Sequence, residues 1–189
     1  MQSLPMDPVD LAKLILSEIE NHVESRQYLV RRGEFTRWTS DVKDWLDQKG
    51  RELGYYSIYT DDLGTSEFML DIVWWKRGSG GSAALACEIE WGNTRDPRRN
   101  AGRVAEDFDK LLSFKAPLKL MIFSSEKNLK MRQDTIRELD RYLAEYGDHR
   151  VGEKYLVLDM TTKQAAWLCE VTEEGLGTGL RLERIDLLN

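Results

Sequence analysis

The sequence predicts an α/β fold in which a mixed central β-sheet is flanked by helices. Three observations lead there. Short β-branched and aromatic runs alternate with segments of helical periodicity through the middle of the chain. The apolar run LKLMIF, residues 118–123, is too short for a typical helix and reads as a continuous apolar strand. Finally, EFMLDIVWW (67–75) is joined by the turn-rich RGSGG (77–81) to the strand carrying Glu88 and Glu90, so this pair reads as an antiparallel hairpin.

Each element has its own signal. Asp7 caps a first helix, Pro8 suits its first turn, and Leu11, Leu14, Ile15, Ile19 and Val23 recur at helical spacing. A second helix is expected from about Thr39 to Leu53, burying Val42, Trp45 and Leu46 and stopped by Gly54. YYSIY (55–59) is a short strand. Asp96 and Pro97 open a helix that runs to about Phe114. Its residues Ala101, Val104, Ala105, Phe108, Leu111 and Leu112 fall on one face. After LKLMIF comes an amphipathic helix over about 128–146, with Leu129, Ile136, Leu139 and Leu143. YLVLDM (155–160), AAWLCEV (165–171) and LRLERIDLL (180–188) read as closing strands, with GLGTG (175–179) as a turn. The order is α-α-β-β-β-α-β-α-β-β-β. No repeat or long linker divides it, so residues 1–189 are expected to form one domain.

Bulk composition narrows the classes. Charged residues make up 32% and hydrophobic residues 41%, and 27 Lys and Arg against 33 Asp and Glu leave a net charge of −6. That balance argues against broad attraction to phosphates and leaves room for a local basic patch. The first residues, MQSLPMDPVD, show no basic region followed by an apolar core, and no apolar run reaches the roughly 18–20 residues that span a bilayer. A cytoplasmic protein with no membrane partner is therefore expected. Two cysteines, Cys87 and Cys169, without a CxxC or clustered histidines, argue against a zinc site and for reduced thiols.

The chemistry concentrates in the hairpin. Residues two apart in a strand share a face. Glu88 and Glu90 therefore point one way, while Cys87, Ile89 and Trp91 point the other. Asp71, between Leu70 and Ile72, can come close to Glu88 across the ladder. Three carboxylates in an apolar hairpin repel one another unless a cation sits among them, and hard oxygen ligands suit Mg²⁺ or Mn²⁺. Alternatively, Glu88 and Glu90 are the solvent face of an edge strand. On that reading the chain is a plain oligomeric scaffold.

These residues resemble the PD-(D/E)xK nuclease superfamily, with its restriction-endonuclease-like αβββαβ core, over approximately residues 8–125. Asp71 matches the first acid and Glu88 the acid of the second motif. Glu90 stands where the motif lysine would be, giving the E-x-E variant Glu88-Ile89-Glu90, and Leu70 replaces the motif proline. The resemblance implies a metal-dependent nuclease acting on nucleic acid, DNA ahead of RNA. Asp71, Glu88 and the Ile89 carbonyl would hold Mg²⁺ or Mn²⁺, and Glu90 would act as general base or second-metal ligand. It also implies that the lost lysine can be replaced from the following helix. Asn100, Arg103, Asp107 and Lys110 border the apolar face of that helix. Lys110 is the candidate replacement, Arg103 a candidate phosphate grip, and Asn93 a candidate for a hydrogen bond to substrate. Charged residues bordering an amphipathic helix can equally be solvated. Arg98 and Arg99 in DPRRN (96–100) read either as phosphate-binding or as surface residues at a helix start. A homodimer would make double-strand cleavage easy, and no stretch marks its interface. A catalytically silent member that binds nucleic acid or a protein partner is the competing reading.

Overall fold

The computed structural model describes residues 6–25, 35–59, 70–78, 81–91, 96–125, 128–160 and 165–185. The elements are α1 (Pro8–Ser25), α2 (Phe35–Glu52), β1 (Tyr56–Tyr59), β2 (Ile72–Trp75), β3 (Ala83–Glu90), α3 (Pro97–Ser113), β4 (Leu118–Phe123), α4 (Leu129–Glu145), β5 (Lys154–Asp159), β6 (Ala165–Glu170), α5 (Glu173–Thr178) and β7 (Glu183–Ile185). The strands form one seven-stranded sheet in chain order. β3, β4 and β5 run parallel, and the flanking pairs β1–β2, β2–β3, β5–β6 and β6–β7 are antiparallel. The fold is thus α/β with a mixed central sheet. No helix among the described residues is long and apolar enough to cross a membrane.

The two parallel crossovers decide the layers. Crossovers β3–α3–β4 and β4–α4–β5 have one hand, which places α3 and α4 together on one face of the sheet. There Val104, Phe108, Leu111, Leu139 and Leu143 bury Ala86, Met121, Phe123 and Val157. On the other face Leu11, Ile15 and Ile19 of α1 and Val42 and Leu46 of α2 cover Leu85, Cys87, Ile89, Leu120 and Ile122. Alternation along β3 therefore turns Glu88 and Glu90 toward α3.

Two close packings set the helices. An added Cβ on Gly50 would lie 2.6 Å from the Trp74 indole nitrogen, so only glycine lets α2 come this near β2. Thr39 accepts a hydrogen bond from the Trp91 indole at 2.6 Å, tying the other end of α2 to the end of β3. On the opposite face the buried Lys119 ammonium donates to the Leu112 carbonyl (3.1 Å), Glu153 (3.2 Å) and the Tyr155 hydroxyl (3.0 Å). All three of its protons are used. That anchor fixes the last turn of α3 to β4 and β5, two residues beyond Lys110.

Four expectations are corrected. β2 begins at Ile72, and Leu70 and Asp71 form a bend before it; residues 67–69 lie outside the described residues. The reason is local: the Asp71 carboxylate accepts the Ile89 N–H at 2.8 Å, where a backbone carbonyl would otherwise continue the ladder. GLGTG lies largely in α5, where Thr172 caps the Gly175 N–H at 3.0 Å and Gly179 at φ 99° ends the helix. The last strand is only Glu183–Ile185, and residues 186–189 lie outside the described residues. α2 also begins at Phe35, earlier than its apolar spacing suggested.

Candidate functional site

The hairpin brings Asp71 and Glu88 together at the carboxyl end of β3. Ile72 pairs with Cys87, so Asp71 and Glu88 are the next opposed positions. The Glu88 side chain is only 4% exposed, and β3 lies between β2 and β4. That excludes the edge-strand reading for Glu88: it is a buried acid of an interior strand. In a strand the N–H and C=O of one residue point toward the same neighbour. The Ile89 carbonyl is therefore directed to the β2 side, where Asp71 receives the Ile89 N–H.

Basic side chains reach these acids from both faces of the sheet. From α3, Lys110 Nζ lies 2.6 Å from Asp107 and 3.5 Å from Glu88 Oε1. Also from α3, Arg103 pairs with Glu90 at 3.3 Å. From α2, Lys43 Nζ lies 2.7 Å from Asp71 Oδ1, with 11% of its side chain exposed. The chain thus places Asp71, Glu88, Glu90, Arg103 and Lys110 around one end of β3, although Glu90 turns to Arg103 rather than to the Asp71–Glu88 pair. Asn93 lies outside the described residues.

Lys43 was missed by sequence reasoning. It sits about two helical turns before Gly50 on the same side of α2, roughly 10.5 Å along the axis. Asp71 precedes Trp74 by three strand residues, roughly 10 Å. Once Gly50 rests on Trp74, the two spacings match and Lys43 meets Asp71. A lysine beside the buried Val42 and Leu46 was a visible signal, but its partner was not.

Burial pushes the Glu88 carboxyl up to about 9, helped by the Asp71 charge and opposed by Lys110. Lys110 opposes that rise with its ammonium 3.5 Å from the Glu88 carboxyl. Burial lowers the Lys110 ammonium, but its hydrogen bond to Asp107 and the nearby acid charges outweigh that, and its pKa lies above the usual lysine range. Among the described residues, Glu88 Oε1 is buried without a hydrogen-bond partner, with Lys110 Nζ 3.5 Å away. Burial likewise pushes the Cys87 thiol up and Cys169 to about 11, so both free cysteines are inert thiols.

The Glu88 shift makes stability depend on pH in a stated direction. The folded state binds this proton up to about pH 9, the unfolded chain only to about 4.5. Stability from this group is full below the lower value and is lost as pH rises toward the higher one. Glu88→Gln has the same shape and no such proton. Its melting temperature is expected to gain on the wild type steadily between pH 5 and 9. A constant gap across that range would mean that Glu88 is ionised in the fold.

Comparison with known proteins adds no relative. No protein-family model matches this chain, and neither a curated protein nor a solved structure is similar to it. Among the described residues, no group of three or more His, Cys, Asp or Glu side chains is arranged to hold a metal ion. What the site offers is two adjoining carboxyls, a strand carbonyl on their side and three basic side chains.

Proposed function

We propose that the chain is a metal-dependent nuclease of the PD-(D/E)xK type, hydrolysing phosphodiester bonds in nucleic acid, DNA ahead of RNA. The observation that carries this reading is Glu88, a buried acid beside Asp71 with an oxygen left without a hydrogen bond among the described residues. An interior strand gains nothing from such a group unless something else completes it. Mg²⁺ is commonly held by one or two carboxylates plus water and substrate oxygens, so two acids suffice. The order α2-β1-β2-β3-α3-β4 also runs α-β-β-β-α-β, as the resemblance requires.

Asp71, Glu88 and the Ile89 carbonyl would hold Mg²⁺ or Mn²⁺. When bound, such an ion polarises the scissile phosphate and acidifies a bound water. Glu90 serves as proton acceptor or as a ligand to a second ion. Lys110 faces the pair from α3 and balances charge that develops on the phosphate. Arg103, 40% exposed, grips a neighbouring phosphate when it leaves Glu90. Lys43 neutralises Asp71 while no cation is present. Asn93 keeps its assigned contact to substrate, and a cytoplasmic setting and a homodimer belong to the same reading.

The second reading is a catalytically silent nuclease-fold protein that binds nucleic acid or a protein partner. It is favoured by Glu90, which stands in place of the motif lysine and is held by Arg103. Cleavage of single- and double-stranded DNA and RNA in Mg²⁺, Mn²⁺ or EDTA separates the two. Cutting with either ion and none in EDTA is expected. Divalent-ion binding without cutting on any substrate would select the silent protein.

A further inference from the structure

Of the two arginines in DPRRN, Arg98 lies where α3 runs beside α4. Between these helices runs an open groove of about 840 Å³, lined by Arg98 and Gly102 of α3 and by Lys130, Asp134, Arg137 and Glu138 of α4. A Cβ placed on Gly102 would meet nothing within 4 Å, so the groove floor is open space. Both helices start at the carboxyl ends of their preceding strands, the end of the sheet that carries Glu90. Arg103, which holds Glu90, directly follows Gly102.

Some exposed cations, Arg51 and Arg141 among them, are matched by carboxylates on their own helix. In the groove Arg137 is answered by Asp134 at 3.2 Å. Arg98 and Lys130, both exposed and one on each wall, form no ion pair among the described residues. The start of α4 is anchored by side-chain contacts. Asp159 accepts hydrogen bonds from the Ser125 N–H (3.0 Å) and hydroxyl (2.6 Å) and pairs with Arg132, which fixes the start of α4. Asp96 caps the Arg98 N–H at 3.0 Å, leaving the Arg98 side chain, not the helix amides, to meet an anion.

We infer that this groove carries the sugar–phosphate backbone of a nucleic-acid strand, with Arg98 and Lys130 contacting its phosphates, and leads that strand to Arg103 and the acids of β3. The inference rests on the proposed nuclease reading. A cation on each wall of an open channel, with no ion pair among the described residues, suits a polyanion whose charges repeat at short intervals. It does so in a chain whose net charge is −6.

The test is binding of a fluorescein-labelled DNA duplex and single strand in EDTA, read by anisotropy across a salt series. The proteins are wild type, Arg98→Ala/Lys130→Ala and Gly102→Glu. The double variant is expected to bind at least about tenfold more weakly near 0.1 M salt, and its log–log salt slope on duplex should fall by about 1.8, two phosphate contacts' worth. Gly102→Glu removes no cation and adds a better helix former. It should weaken binding by blocking the floor. Unchanged affinity and slope in both variants overturn the groove, and so does absence of DNA binding by the wild type. Equal displacement of the DNA by polyglutamate of matched charge also overturns it, in favour of an acidic protein partner. The nuclease reading is judged apart, by cutting in Mg²⁺. Weakened binding in the variants without wild-type cutting leaves the groove standing and removes the nuclease. Normal cutting with unaltered variants does the reverse.

Discussion

Asp71→Asn is expected to abolish Mn²⁺ binding and to lower cleavage by roughly a thousandfold, the several kcal/mol that an ion contributes at a phosphoryl centre. The substitution is mild for the fold. The asparagine carbonyl oxygen can still accept the Ile89 N–H, which Asp71 receives at 2.8 Å. What disappears is the charge that faces Lys43 at 2.7 Å and that would hold the ion. Part of what pushes Glu88 to about 9 goes with it, so the Glu88 carboxyl should ionise more easily in the variant. Calorimetric titration with Mn²⁺ reads the first effect and single-turnover cleavage the second. Undiminished Mn²⁺ affinity in a folded variant would remove Asp71 from the site.

Lys110→Met is expected to lower kcat about a hundredfold with little change in KM, the signature of an interaction made in the transition state. Methionine keeps the apolar stem against α3 while removing the ammonium that lies 3.5 Å from Glu88. Lys43→Met should behave differently. Its ammonium already occupies one Asp71 oxygen, so it competes with an incoming cation. Removing it should tighten Mn²⁺ binding by about tenfold, the scale of one charge near 4 Å at a partly screened site. If instead Lys43→Met loses kcat and Lys110→Met does not, the replacement for the motif lysine comes from α2. Parallel kinetics and titration on the two variants decide between them.

The distribution of acids was legible in the chain because strand parity is local. Glu88 and Glu90 share a face whatever the surroundings, and the apolar spacing of α3 placed Arg103 and Lys110 on its border before any packing was known. The same spacing could not say whether that border was solvated. It also could not say that Arg103 would take Glu90 while Lys110 took Asp107, since both choices depend on how α3 lies over β3. EFMLDIVWW has strand composition on both sides of Asp71, so composition alone extends β2 too far. The chain leaves the ladder at Asp71 because a carboxylate there replaces the backbone as acceptor for Ile89. GLGTG reads as a turn because it precedes a strand-like run, yet the Thr172 cap holds most of it in a helix.

By itself the sequence determined the α/β class, the hairpin and crossover order, and the side of β3 on which the two glutamates stand. All of these follow from periods of 2 and 3.6 residues and from turn chemistry between near neighbours. Only the tertiary structure decided that Glu88 is buried, that Lys43 meets Asp71, and that Arg98 and Lys130 face each other across one groove. Those facts join residues far apart in the chain. They depend on close packing of whole elements, such as Gly50 against Trp74, which no local pattern encodes.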